Sequence, residues 1–151
     1  MLVADVMTPD PVSVREDKRL LAAKAIMEFS RIRHLPVVNA HGDLVGLLTR
    51  GTLLAASASL LDHIPAVESD HQLGAVLIRD VMVHGPMTVE AGAHVSTAAH
   101  LMATRKVGCL PVVEGSRLVG IITEVDLLRL VEQAEKHHLL DTLGASAHPH
   151  P

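Results

Sequence analysis

Apolar and polar residues follow two different periods in the first third of the chain. Residues 11–14 alternate between apolar and polar side chains as a strand does, whereas residues 18–29 place apolar side chains at helical spacing after Asp17, a predicted N-cap. A turn that contains Gly42 then separates two further apolar runs. The pattern predicts a strand, a helix, two strands and a second helix, over residues 11–14, 18–29, 35–39, 45–49 and from about residue 51 onward.

The second half of the chain repeats this order. Three sequence blocks recur at nearly constant spacing, with residues 5–7 repeated at 80–82, 35–38 at 110–113 and 44–49 at 118–123. The corresponding elements are predicted at residues 87–89, 95–106, 110–113, 119–123 and 126–138. Because one such short unit would expose the apolar face of its sheet, we expect an α/β fold in which two β-α-β-β-α repeats pack through their sheets with pseudo-twofold symmetry.

The repeats define the expected organisation of the chain. The first repeat covers residues 1–56, and the second repeat with its C-terminal helix covers residues 78–143. Residues 57–77 mix proline, glycine and scattered charges, which predicts a linker in which a helix can begin. Residues 144–151 consist largely of small residues, histidine and proline, and this tail is predicted to be disordered.

Composition narrows the classes of function. The 151 residues carry a formal net charge of -4 and only 1% aromatic residues, which argues against the cationic and stacking surfaces of a nucleic-acid-binding protein. No apolar run approaches the ~20 residues of a membrane span, and the N-terminus lacks the pattern of a secretory signal. A cytoplasmic protein is expected, and the single cysteine, Cys109, cannot form an intrachain disulfide.

Four sequence blocks carry a family resemblance. They are residues 5–9 (DVMTP), 32–38 (IRHLPVV), 46–49 (GLLT) and 120–126 (GIITEVD). These blocks resemble those of cystathionine β-synthase (CBS) domains, here as a tandem pair or Bateman module, of the small stand-alone type found among acetoin-utilisation regulators. The resemblance implies a regulatory protein, not an enzyme, that binds AMP, ADP, ATP or S-adenosylmethionine between its repeats and has no tightly bound cofactor. It also implies a homodimer that signals to a downstream protein partner through a change in dimer geometry.

Asp126 and Thr123 are the strongest candidates for ligand contacts. A carboxylate at a strand-to-helix junction can accept hydrogen bonds from both hydroxyls of a ribose, and Thr123 can present its own hydroxyl to the ribose or to a phosphate. The free N–H groups of the opening helix favour an anion at the same place. In the resembling family these two positions bind the ligand. The alternative is that Asp126 only caps its helix.

In the resembling family, a cleft combines the threonine and aspartate of one repeat with the first strand and the second-strand entry of the other. The threonine and aspartate of the second repeat would then face Ser13, Ile32, Arg33 and His34. Ile32 would form an apolar wall for the base, and Arg33 would offer a cation to phosphate. The alternatives are that Arg33 is a solvated surface residue and that His34 is a hydrogen-bonded strand histidine.

The first repeat departs from this pattern. Thr49 is retained, but the position of the aspartate holds Thr52, whose neutral hydroxyl cannot replace a carboxylate. The strand entry of the second repeat holds Gly108 and Cys109 instead of two basic residues. The sequence therefore predicts one complete ligand site and one degenerate site, formed by Thr49, Thr52 and Cys109, in each chain.

Other classes of function have weaker support in the sequence. No hydrolase or nucleotide-loop motif occurs, and the 11 histidines are not spaced as a zinc site requires, so no catalytic residue and no metal site is predicted. The main alternative is a ligand-free, dimerising protein-interaction scaffold, and a metal-binding CBS protein is less favoured. The apolar helix faces that could form a dimer carry Leu53, Leu54, Leu60, Leu61, Leu127, Leu128, Leu130 and Val131.

Overall fold

The computed structural model describes the backbone of residues 1–61 and 66–145, and the side chains of residues 1–57 and 70–143. In this part of the chain the α-helices are Val3–Val6 (α1), Leu20–Ser30 (α2), Arg50–Leu61 (α3), Ala66–Leu73 (α4), Val95–Arg105 (α5) and Glu124–Ala145 (α6). The strands are Thr8–Pro9 (β1), Val14–Arg15 (β2), His34–Val38 (β3), Leu44–Thr49 (β4), Val83–His84 (β5), Val89–Glu90 (β6), Cys109–Glu114 (β7) and Arg117–Thr123 (β8). The β-α-β-β-α order occurs twice, from β2 to α3 and from β6 to α6, which confirms the predicted α/β fold.

The strands form two four-stranded sheets that exchange their outer strands. One sheet has the order β2-β3-β4-β5, and the other has the order β1-β8-β7-β6. β5 belongs to the second repeat in sequence, yet it pairs antiparallel with β4 of the first, with Val83 opposite Leu47. β1 pairs in the same way with β8, with Thr8 opposite Ile121. The N-terminal segment of each repeat therefore completes the sheet of the other repeat, an arrangement that the sequence pattern does not predict.

A methionine packed on a glycine accompanies each exchanged strand. Met7 lies against Gly120 of β8, so a Cβ atom added at Gly120 would overlap the Met7 sulfur and lie 3.1 Å from the carbonyl oxygen of Thr8. Met82 occupies the equivalent place over Gly46 of β4. Because these two glycines have no side chain, the segments that lead into β1 and β5 can lie directly on the sheets. This packing explains why the methionine and glycine blocks recur together in the sequence.

Helices cover the sheets with equivalent apolar stripes. α2 buries Ala23 and Met27 in the core of the first sheet, and α5 buries Ala98 and Met102 in the core of the second. These positions are spaced so that they lie on one face of each helix. The two sheets also share a third buried cluster, which consists of Leu47, Cys109 and Ile121. The repeats are therefore packed through their sheets, as predicted.

The hairpin turns of the two repeats are also in contact. The Ser116 hydroxyl donates a hydrogen bond to Asp43 Oδ1 at 2.9 Å, and the Leu44 N–H donates to the Ser116 carbonyl oxygen at 2.9 Å. The hydrogen bond from Ser116, together with one from Asn39, holds the pKa of Asp43 below its ordinary value. The two β-hairpins, β3–β4 and β7–β8, are thereby joined at their tips.

Two local predictions for the first repeat are wrong. Asp17 does not cap α2, because its carboxylate pairs with Arg15 Nη2 at 2.8 Å and the helix begins later, at Leu20 after Arg19. The first strand is also shorter and later than predicted, since it comprises Val14–Arg15 and not residues 11–14. These two residues pair in parallel with β3. The residues before them are free to approach the other repeat.

The segment predicted as a linker contains α4 and contributes to the first core. Leu73, the last residue of α4, is 1% exposed, and α4 packs against α2 and α3. At the other end of the chain, α6 continues through Ala145, so the first two residues of the predicted tail are helical. Residues 146–151 lie outside the described residues. Among the helices that the structure describes, none is both long and apolar enough to cross a lipid bilayer.

Candidate functional site

A cleft opens between the two repeats where β8 ends and α6 begins. Its volume is about 540 Å³, within the range of small-molecule binding sites. The second repeat supplies one wall through residues 123–126, and the first repeat supplies the facing wall through residues 31–34. The other residues that line it are Thr8, Pro11, Val12, Ile121 and Arg129.

Asp126 is oriented by Thr123 at the start of α6. Asp126 Oδ2 accepts hydrogen bonds from the Thr123 backbone N–H at 2.8 Å and from the Thr123 hydroxyl at 3.0 Å. Thr123 directly precedes α6, so this contact is the carboxylate half of a helix capping box. The second carboxylate oxygen, Oδ1, accepts no hydrogen bond from the described residues. The Asp126 side chain lines the cleft. Asp126 therefore caps its helix and still offers a charged acceptor to a ligand.

The equivalent position in the first repeat is closed by two threonines. The hydroxyl oxygens of Thr49 and Thr52 lie 2.9 Å apart, and Thr49 Oγ1 also accepts a hydrogen bond from the Thr52 N–H at 3.0 Å. The two hydroxyls therefore bond to each other, and no carboxylate is present. Thr49 lines a second, smaller cleft of about 290 Å³ together with Cys109, whereas Thr52 does not line it.

Cys109 in the smaller cleft is a buried, protonated thiol. Burial, assisted by the negative charge of Glu124, raises the pKa of Cys109 to about 12. A thiol with so high a pKa is not a nucleophile at neutral pH, because the thiolate is the reactive form. Cys109 therefore acts as an apolar residue where the two sheets meet.

His34 lies between the two clefts and lines both of them. Its Nδ1 atom is buried and has no hydrogen-bond partner among the described residues. Burial lowers the pKa of His34 below its ordinary value, the nearby Glu124 opposes this effect, and the charge of Arg33 adds to it. The ring is therefore neutral at pH 7 in the folded protein.

We expect acidification to destabilise the protein through His34. Because the pKa of His34 is lower in the folded than in the unfolded state, the unfolded chain binds more protons and stability is lost as the pH falls below about 6.5. His34→Gln should therefore show a smaller fall in Tm than the wild type between about pH 7.5 and about pH 5.5 in thermal melts. His100→Gln, on an exposed part of α5, is the matched control and should keep the wild-type fall. Equal falls in the wild type and His34→Gln would contradict this role of His34.

The structure brings five of the six predicted ligand-binding residues to one cleft. Ser13 is the exception: it is exposed and does not line the cleft, whereas its neighbours Pro11 and Val12 do. The reason is that β2 begins only at Val14, so the residues that approach the second repeat lie earlier in the chain than predicted. The five residues are Ile32, Arg33, His34, Thr123 and Asp126.

The predicted set omits three charged residues that line the cleft, namely Arg31, Glu124 and Arg129. Arg31 and Glu124 are sequence neighbours of predicted site residues. Arg129 lies three residues after Asp126, and this spacing places both on one face of α6. Helical spacing from Asp126 is thus the signal that could have identified Arg129.

Metal ligands do not converge in the part of the chain whose side chains are described. No group of three or more histidine, cysteine, aspartate or glutamate side chains there could hold a metal ion. His148 and His150, the histidines of the predicted tail, lie outside the described residues.

Sequence comparison finds relatives that are much longer than this chain and one of similar length. A homoserine O-acetyltransferase from Methanococcoides burtonii is 32% identical over 130 residues, which are 85% of this chain and 24% of that protein. The chain therefore spans about a quarter of the length of the curated relatives that it first matches. A CBS domain-containing protein from Dictyostelium discoideum is 32% identical over 134 residues, which are 87% of this chain and 91% of that protein.

Structural comparison identifies CBS domain pairs over nearly the whole chain. An acetoin utilization protein (AcuB) from Vibrio cholerae has a TM-score of 0.78 and 31% identity, covering 91% of this chain and 96% of its own. CBSX2 of Arabidopsis thaliana in complex with AMP has a TM-score of 0.75 and 26% identity, and the match covers 89% of this chain and 98% of CBSX2. The CBS domain pair of protein MJ0100, in complex with 5-methylthioadenosine and S-adenosyl-L-methionine, has a TM-score of 0.75 and 27% identity. The match covers 89% of this chain and 98% of that domain pair.

The two sequence repeats each match the same family description. Residues 3–59 and residues 78–133 both match the CBS domain, and together they make up more than half of the chain. The order of strands and helices is the same in both matched segments. The chain therefore belongs to the CBS domain family, as a tandem pair of CBS domains.

Proposed function

We propose that this CBS pair is a regulatory module that binds an adenine nucleotide or an adenosyl compound in the larger cleft. The position of Asp126 carries the proposal, because its carboxylate lines the cleft and keeps one oxygen unbonded. A charged acceptor suits the two vicinal hydroxyls of a ribose. On the facing wall, Ile32 offers an apolar surface for the base and Arg33 offers a cation for a phosphate.

The ligands of the solved CBS pairs support the adenosine part of this proposal. AMP, 5-methylthioadenosine and S-adenosyl-L-methionine differ beyond the ribose but share adenine and ribose. The groups that we assign to Asp126 and Ile32 are the shared ones. The smaller cleft lacks an equivalent carboxylate, because Thr52 stands at that position, so we propose one principal site per chain.

Exposed apolar side chains on α6 and α3 support a homodimer as the signalling unit. Leu128 and Val131 are 66% and 61% exposed, and Leu54 of α3 is 59% exposed, whereas Leu53 is buried in the core. Leu60 and Leu61 lie outside the described side chains. A ligand that binds two dimer arrangements with different affinity shifts the population between them, which is how a regulatory module of this size can signal to a protein partner.

The same exposed surface favours a second candidate, a dimerising scaffold that binds no small ligand. Leu128 and Val131 would serve the dimer in either case. The two candidates differ in what they require of the cleft, since a scaffold needs no unbonded carboxylate oxygen at Asp126. Ligand binding therefore discriminates between them.

Isothermal titration calorimetry tests the proposal. Adenosine, AMP, ADP, ATP and S-adenosylmethionine are titrated into the purified protein, with GTP as the control for the base, and light scattering reports the oligomeric state. We expect at least one adenine compound to bind at one per chain, and GTP not to bind. If no adenine compound binds while the dimer is intact, the ligand-sensing role is wrong and the scaffold is the better description.

A further inference from the structure

The residues that end α2 and α5 share an unusual backbone conformation. Arg31 and Lys106 follow these helices with φ angles of 52° and 55°, in the left-handed region. Glycine is favoured there, because a Cβ atom crowds the following carbonyl group. The two positions are equivalent in the two repeats, since they lie 75 residues apart like the recurring blocks. Both repeats thus keep a basic side chain where the backbone favours glycine.

Arg31 and Lys106 line different clefts of the two described above. Arg31 lines the larger cleft with Asp126, and Lys106 lines the smaller cleft with Cys109. Residues in sparsely populated backbone conformations cluster at active sites and ligand clamps, which suggests a role for these side chains. For Arg31, that role is not an ion pair or a hydrogen bond within the described part of the chain, because its guanidinium forms neither there.

Arg31 is one of three arginines around the larger cleft, together with Arg33 and Arg129. None of the three forms an ion pair with the described side chains, although Glu124 and Asp126 line the same cleft. Each guanidinium offers a planar set of donors that matches phosphate oxygens. Three such groups can engage more oxygens than one phosphate presents, and they oppose the positive sulfonium of an adenosyl cation. The three unpaired guanidinium groups therefore favour a polyphosphate.

We propose that Arg31 determines the ligand specificity of the cleft by pairing with the phosphates beyond the first, so that an adenosine di- or triphosphate binds in preference to AMP or S-adenosylmethionine. This inference rests on the proposed function, since the ribose must be held by Asp126 for the phosphates to lie among the arginines. Arg33, which directly precedes β3 on the same wall, and Arg129 of α6 on the facing wall add to the positive charge. The positive charge at the end of α2 therefore selects for phosphate number.

Calorimetric affinities of adenosine, AMP, ADP, ATP and S-adenosylmethionine for the wild type, Arg31→Gly and Lys106→Gly test this inference. We expect ADP or ATP to bind the wild type about tenfold more tightly than AMP, and Arg31→Gly to lose about that factor while adenosine and AMP bind as before. Lys106→Gly is the matched control, because it relieves the same backbone conformation outside the larger cleft and should keep the wild-type order of affinities. Neither glycine variant should melt below the wild type, so a loss of affinity would not reflect unfolding.

The outcomes separate this inference from the proposal on which it rests. Equal affinities of AMP and ATP for the wild type, or S-adenosylmethionine binding more tightly than ATP, would overturn the role of Arg31 and leave the adenosine site standing. An equal loss of adenosine and ATP binding in Arg31→Gly would also overturn it, because adenosine has no phosphate for Arg31 to bind. If none of the compounds binds, adenosine included, the proposed function itself fails.

Discussion

Gly120→Ala is expected to lower the free energy of unfolding by about 2 kcal/mol, within the range for overpacked cores. The added methyl group would overlap the Met7 sulfur and lie 3.1 Å from the Thr8 carbonyl oxygen. The methionine side chain can turn aside, but the carbonyl oxygen belongs to the backbone of β1 and moves only with that strand. The pairing of β1 with β8 would therefore be strained. Urea denaturation followed by far-ultraviolet circular dichroism measures the effect in a protein without tryptophan or tyrosine.

Gly92→Ala is the matched control for this substitution. A Cβ atom added at Gly92 would have no heavy atom within 4 Å, so the free energy of unfolding of Gly92→Ala should stay within about 0.5 kcal/mol of the wild-type value. Met7→Ala combined with Gly120→Ala should be less destabilised than the sum of the two single variants, because the methyl group would occupy space vacated by the methionine. If Gly120→Ala is no less stable than Gly92→Ala, the close packing of β1 on the second sheet is wrong.

Asp126→Ala is expected to weaken ATP binding by one to two orders of magnitude, since a hydrogen bond to a charged group contributes about 1.5–3 kcal/mol. The same substitution removes the acceptor of the Thr123 N–H, which should lower stability by about 1 kcal/mol. The loss of affinity should thus exceed the loss of stability. Calorimetric titration with ATP and thermal melts of the same preparation measure the two effects separately.

Two further variants separate the capping role of Asp126 from its ligand-binding role. Asp126→Asn keeps an oxygen acceptor for the Thr123 N–H but loses the charge, so it should retain stability and still lose most of the affinity. Asp141→Ala removes a carboxylate from an exposed part of the same helix and should change neither quantity. Wild-type affinity in Asp126→Ala would mean that helix capping is the only role of this residue.

The paired architecture could be predicted from the sequence because both repeats keep the same apolar blocks. The runs that become β3 and β7 each carry four consecutive residues, Leu-Pro-Val-Val, and all of these are buried except Val38, which is half-buried. The exchange of β1 and β5 could not be predicted, because each strand has two residues and shows no period. Their partners lie in the other repeat, so only the tertiary fold decides the pairing.

The candidate site also contains some residues that could be predicted from the sequence and others that could not. The convergence of Asp126 with Arg33 was implied by the family resemblance, and the asymmetry of the two repeats indicated which of the two clefts has the complete set of polar residues. Ser13 does not line the cleft, because the strand predicted from residue 11 begins only at Val14. The place of Arg31 depends on where α2 ends, which local sequence defines only within a few residues, whereas Arg129 lies inside the predicted last helix, three residues after Asp126. Their place in the cleft follows from the packing of one repeat on the other.

A crystal structure of the protein with ATP tests the central claim most directly. We expect one nucleotide per chain in the larger cleft, with the ribose hydroxyls at Asp126, the adenine against Ile32 and the outer phosphates at Arg31. We expect no nucleotide in the smaller cleft, where Thr52 replaces the carboxylate. A nucleotide bound only in the smaller cleft, or at a surface away from Asp126, would contradict the claim that the junction of β8 and α6 is the ligand site.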